Sequence, residues 1–159
     1  MKRNGFVFFW KSWLSNWQRS PFVIDGVIYN CVEQYMMTEK ARLFADSVTE
    51  AAILATDFPR EQKALGRRVR GYDEARWAAV RRDVVLRATL EKYRQNPELK
   101  AKLLAEEGTF VETNPADAVW GIGMSMDEAG VEDSANWRGQ NLLGQVITEA
   151  RDILRSETK

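Results

Sequence analysis

The chain has no histidine, and that absence removes both the commonest metal ligand and the usual base behind an activated serine or cysteine. Triad hydrolases and zinc centres are therefore not expected, and neither is a resident metal. Cys31 is the only cysteine. A lone thiol forms no internal disulfide, which suits a reducing compartment, and it reads as a small core residue. No apolar run approaches the length of a membrane span, and the aromatic stretch from Phe6 to Trp10 is too short for the hydrophobic region of a signal peptide. A cytoplasmic protein without membrane contact is the expectation.

Net charge is missing too. Lys and Arg total 23 and Asp and Glu total 23, so no overall field draws the chain to nucleic acid. Any such contact would be local, at the cluster of Arg67, Arg68 and Arg70 with Arg81 and Arg82 beyond it, if that cluster is more than a solvated face. No glycine-rich phosphate loop, internal repeat, low-complexity tract or linker is present, so residues 1–159 read as a single domain, long enough to bury a core without disulfide or metal.

What the chain does have is a helix with charges beside its apolar stripe. Over Asn30 to Phe44, a period of 3.6 residues puts Glu33, Met37, Lys40 and Phe44 on one face, with Glu33 and Lys40 two turns and roughly 10 Å apart. Val32, Tyr35, Met36 and Leu43 supply the neighbouring stripe, so this face borders the core. Boundary charges with wet heads over buried stems would give the same pattern.

Before that helix, Phe6 to Trp10 reads as a strand, and Asp25-Gly26 between two apolar runs is a hairpin signal, giving a small antiparallel β layer at the amino terminus. After it, helices are expected over Ser47 to Ala55, from Pro59 to Gly66, from the Asp73 cap to about Gln95, from Asn96-Pro97 to Glu107, and from about Asn141 to Arg155. Thr109 to Val111 has strand character. The fold class is α+β and predominantly helical. The acidic stretch Met124 to Trp137 is long for a connection and is expected to be a mobile flap.

Glu112, Asn114, Asp117 and Trp120 crowd into nine residues between these elements, and loops this dense in carboxylate, amide and indole are frequently sites. Six tryptophans are present, with Trp13, Trp17, Trp120 and Trp137 in strand ends or loops, where a ring either closes the core or stacks on a base. Cleaving the C1′–N bond of a ribosylated base needs a flat platform, an acid for the leaving nitrogen, and a carboxylate beside an oxocarbenium-like carbon. Trp77, Trp120, Glu33, Glu112, Asp117 and Lys40 contain that set, and no cofactor is required.

The order and spacing of several pieces carry a family resemblance. They are Ser15-Asn16 before the hairpin, Glu33-x-Tyr35-x₄-Lys40, Gly66-Arg67 followed by Trp77, Glu112-x-Asn114-x-x-Asp117-x-x-Trp120-Gly121, and Asn141-x-Leu143-Gly144 before the last helix. Together, over about residues 6 to 154, they resemble the NADAR (YbiA-like) family. That resemblance implies a single YbiA-like domain and N-glycoside hydrolysis. Substrates in the family are phosphorylated ribosylaminopyrimidine intermediates of riboflavin biosynthesis or ADP-ribosylated guanine in DNA or RNA. It also implies Glu33, Lys40 and Asp117 as catalytic residues, and Asn16, Arg67, Trp77, Glu112, Asn114, Trp120, Gly121 and Asn141 as substrate-binding ones. Gln34 is a departure, because family members often have His after the helix Glu. A sensor that binds nucleotide or ADP-ribose without turnover would use the same Trp and Arg residues, but would not need Glu33, Lys40 and Asp117 together.

Overall fold

A computed structural model describes residues 1–158. In chain order the strands are β1 (Lys2–Arg3), β2 (Phe6–Phe9), β3 (Phe22–Ile24) and β4 (Val27–Tyr29). Helices α1 (Val32–Leu43), α2 (Ser47–Ala55), α3 (Pro59–Gly66), α4 (Glu74–Arg94) and α5 (Pro97–Ala105) follow, then β5 (Thr109–Glu112), a 3₁₀ turn at Ser134–Asn136, and α6 (Leu142–Glu157). The expected α+β, mainly helical character is what is found. The helix starts have local causes: the Asp46 and Asp73 side chains accept the amides of Thr49 and Arg76, and Pro59 opens α3.

The backbone gathers into two compact units, one made of Met1–Ser15 with the chain from Pro97 onward, the other of Asn16–Asn96. In the first, β1 pairs antiparallel with β2, and β2 pairs parallel with β5, from Phe6 opposite Thr109 to Phe9 opposite Glu112. The amino-terminal layer is thus completed by a strand from far along the chain, in the opposite sense to the hairpins expected locally. Helix α6 packs on β5. Gly144 allows that approach, since a Cβ there would collide with the Phe110 carbonyl and the Asn141 side chain.

Residues 124–137 are not a free flap. Met124 and Val131 are buried in one cluster with Phe8, Val111 and Ile122, and the Trp137 ring lies 5.1 Å from Phe6 while its Nε1–H donates to the Val131 carbonyl at 2.8 Å. Three apolar anchors at irregular spacing hold the segment, so its acidic composition misleads.

In the second unit, β3 and β4 form the hairpin that Asp25-Gly26 signals, with φ of 51° and 80° at the turn. Helix α1 packs against α2, α3 and α4. Every residue from Cys31 to Thr38 is buried, including Glu33 and Gln34. Gln34 is satisfied entirely by its neighbours: its Oε1 accepts the Asn30 amide at 2.8 Å, and its Nε2 donates to the carbonyls of Ile53 and Thr56. The departure at Gln34 is thus a structural amide.

The buried side of α4 runs through Trp77, Val85, Ala88 and Lys92, a helical repeat that ends on an ammonium 1% exposed. Burial pulls Lys92 down to about 7, against an attraction from Cys31, whose own thiol burial pushes up to about 12. The sign for stability follows. Lys92 in the folded chain lies below its ordinary 10.5, so above about pH 7 the unfolded chain holds the extra proton and stability climbs with pH at up to about 1.4 kcal/mol per unit. Above the ordinary thiol value of 9.0 Cys31 works the other way, so the two contributions offset each other and the climb levels off. Urea midpoints are expected to rise from pH 7 to 9 in the natural chain and to stay level in Lys92→Met. An equal rise in both would refute the assignment.

Candidate active site

In the second unit the site residues centre on α1. Cys31 is its N-cap and Glu33 stands in its first turn, 5% exposed, where the helix dipole favours a carboxylate. The Glu33 amide donates to the backbone carbonyl of buried Asn16 at 3.0 Å, so Asn16 fixes the entry to the helix through its main chain. Lys40 lies two turns on and is half-buried. Burial is the main influence on it and lowers its pKa; Glu33 and Glu74 oppose that, and Arg67 reinforces it. Glu33 and Arg67 are therefore each close enough to act on the charge of Lys40. Met37, between Glu33 and Lys40 on the same face, fills the space left by Gly66 of α3, where a Cβ would strike its sulfur.

Trp77 is 5% exposed, so its ring is part of the packing under α4 rather than an open platform. Two residues outside the sequence motifs, Tyr72 and Glu74, stand beside Lys40. The Tyr72 ring centroid is 4.6 Å from the Lys40 Nζ, and the Tyr72 hydroxyl donates to the Glu74 carboxylate. An aromatic residue directly before an Asp cap was the available clue, because an apolar side chain at that position commonly fixes how the chain enters the helix.

In the first unit the loop after β5 brings together Glu112, Asn114, Asp117, Trp120, Gly121 and Asn141. Asn114 Oδ1 accepts the Ala116 amide at 2.9 Å, and Asp117 Oδ1 accepts the amides of Val119 and Trp120 at 2.9 Å each. Two side-chain turns of this kind fold the segment back on itself. At Gly121 a Cβ would lie 2.9 Å from the Asp117 carbonyl and 3.0 Å from both the Glu112 carbonyl and the Asn114 Cβ, so only glycine fits. The Trp120 and Gly121 carbonyls accept the amides of Leu143 and Asn141.

Asn141 ties this loop to the sheet. Its Oδ1 accepts the Glu112 amide and its Nδ2 donates to the Phe110 carbonyl, both at 3.0 Å, from a left-handed backbone with φ of 54°. Among the described residues no group of three or more His, Cys, Asp or Glu is placed to hold a metal ion, and no helix is long and apolar enough to cross a membrane. The buried carboxylate of Glu33 and the half-buried amine of Lys40 are equipped for acid–base and nucleophilic chemistry.

The chain as a whole is similar to known proteins. The chain is 38% identical to Protein irg-1 of Caenorhabditis elegans over 129 residues, covering 79% of this chain and 61% of that protein's length. It is 39% identical to N-glycosidase R617 of Acanthamoeba polyphaga mimivirus over 126 residues, covering 78% and 74%. The NMR structure of YbiA from Escherichia coli superposes with a TM-score of 0.78 at 26% identity, over 99% of this chain and 89% of that one. The model of the NADAR domain matches residues 8–155, and on that span the chain belongs to the NADAR family.

Proposed function

We propose that the chain is an N-glycosidase that hydrolyses the C1′–N bond of an N-ribosylated substrate. The observation that carries this reading is the pairing on α1 of a buried carboxylate, Glu33, with a half-buried amine, Lys40, whose charge responds to it. The names of the mimivirus relative and of YbiA from Escherichia coli, both called N-glycosidase, support it.

In the reaction the C1′–N bond breaks with its electron pair going to the departing nitrogen, which takes a proton, and water adds to C1′ and gives up one. One carboxylate serves the proton and another the oxocarbenium-like carbon. Glu33 and Asp117 are assigned those duties. Lys40 either binds the substrate's phosphate or hydroxyl oxygens as a cation, or attacks the opened ribose as an amine. Asn16, Arg67, Glu112, Asn114, Trp120, Gly121 and Asn141 are assigned to binding, several of them through the backbone they hold in place, whereas buried Trp77 packs under the site and offers no face to substrate. A cytosolic setting accords with the single thiol, buried and held protonated.

The substrate is a phosphorylated ribosylaminopyrimidine of riboflavin biosynthesis or an ADP-ribosylated guanine in nucleic acid. A paired assay distinguishes them, offering both to the natural chain, Glu33→Gln and Asp117→Ala. Ribose 5-phosphate released only from the pyrimidine would make this a metabolite hydrolase, and ADP-ribose released only from the oligonucleotide would make it a nucleic-acid de-ADP-ribosylating enzyme. Turnover of neither, with ADP-ribose still bound in calorimetry, would replace the enzyme by a sensor.

A further inference from the structure

Tyr72 occupies a fixed point in the chain. Gly71 before it turns the backbone at φ of 74°, and Asp73 after it caps α4 by accepting the Arg76 amide at 3.1 Å. Its ring meets the Phe44 ring at a 5.5 Å separation, inclined at 61°, and Phe44 is covered in turn by the Arg76 guanidinium at 5.1 Å. Its hydroxyl donates to Glu74, and Glu74 is also held by Arg81 Nη1 at 3.0 Å. Phe44 and Glu74, each braced by an arginine, thus orient a side chain that remains 43% exposed, and the Lys40 Nζ rests 4.6 Å from the ring centroid.

A ring that only covered the start of α4 would need none of the polar links. A lysine on four rotatable bonds, in contrast, needs something to hold its end, and an aromatic face holds an ammonium but has no comparable hold on a neutral amine. We infer that Tyr72 is the positioning residue of Lys40, its ring the seat of the ammonium and Glu74 the group that keeps ring and charge in register. The inference rests on the proposed function only for its consequence in catalysis; the seat itself is a property of the folded chain.

The charged groups that act on Lys40 come from three directions: Glu33 on α1, Arg67 after α3, and Glu74 on α4. Removing the ring while keeping an apolar cover takes away support for the ammonium alone, so the Lys40 midpoint must fall. The sign for Glu74→Gln is the same, because an attracting anion is lost.

The test is an NMR titration of the full chain labelled with ¹³Cε-lysine, with Lys40→Met to assign the resonance. Tyr72→Leu is expected to lower the Lys40 midpoint by about half a pH unit and kcat several-fold. Glu74→Gln is expected to lower the midpoint as well, and Tyr72→Phe, which keeps the ring, to leave it in place. A Tyr72→Leu variant that loses thermal stability with the Lys40 midpoint unmoved would reduce Tyr72 to a packing residue and overturn the inference. Full hydrolysis by Lys40→Met would instead overturn the proposed function, and the titration would still report on the seat.

Discussion

Lys40→Ala is expected to lower kcat for N-glycoside hydrolysis by about a thousandfold while the melting temperature stays within a few degrees of the natural chain. The fold is safe because Lys40 is half-buried near the end of α1, and its removal leaves Val32, Tyr35, Met36 and Ala41 in the core. Lys40→Arg separates the two roles of the amine. A guanidinium retains the charge but forms no Schiff base, so recovery of most activity identifies a phosphate-binding cation. Loss equal to that of alanine, together with an adduct trapped at Lys40 by borohydride, identifies a covalent route. In that case the rate also rises with pH toward a midpoint below the ordinary lysine value, because burial lowers the pKa of Lys40 and the neutral amine is the nucleophile. Glu33→Gln, nearly isosteric, is the companion variant. A fall of less than about tenfold in either would sink the assignment of α1 as the catalytic helix.

The second large effect is on stability. Asn141→Ala should cost about 3–5 kcal/mol, read from urea denaturation, for two reasons that add. Alanine in the left-handed conformation costs roughly 1–2 kcal/mol more than asparagine there, and the Phe110 carbonyl and Glu112 amide each lose a partner, at about 1 kcal/mol or more apiece. Asn141→Gly removes only the hydrogen bonds and should fall in between. The series also distinguishes support from ligand contact. If Asn141→Gly keeps its KM when assayed in osmolyte that restores folding, the residue works by holding β5 and the loop. A measured loss under about 0.5 kcal/mol for Asn141→Ala would contradict the structural role.

Much of the fold was legible because its signals are local. The Asp73 cap, Pro59 at a helix start and Asp25-Gly26 at a hairpin each specify a conformation within four residues. The pattern of Glu33 and Lys40 beside an apolar stripe likewise depends only on the helical repeat. What could not be read is set by partners distant in sequence. The parallel match of β2 with β5 leaves no trace in the periodicity of either strand. Lys92 has the composition of a solvated face yet lies inside, because the repeat through Val85 and Ala88 carries it there. Trp77 carries the residue type of a stacking platform but is buried in the same repeat. Tyr72 reaches Lys40 only because α3 and α4 return the chain to α1.

The long interval between β2 and β5 bears on how the protein is made. At ribosomal rates of about 5–20 residues per second, the aromatic strand Phe6–Phe9 waits roughly 5–20 seconds for the segment that will lie alongside it. Residues 16–96 are contiguous and form one compact unit, so all of its partners are synthesised within that interval. Until Thr109–Glu112 arrives, the Phe-Val-Phe-Phe strand has an edge open to capture by a neighbouring polypeptide. Slow translation, or a pause before Thr109, prolongs that vulnerability, and a chaperone that masks the first ten residues would raise soluble yield more than one that acts on the completed protein.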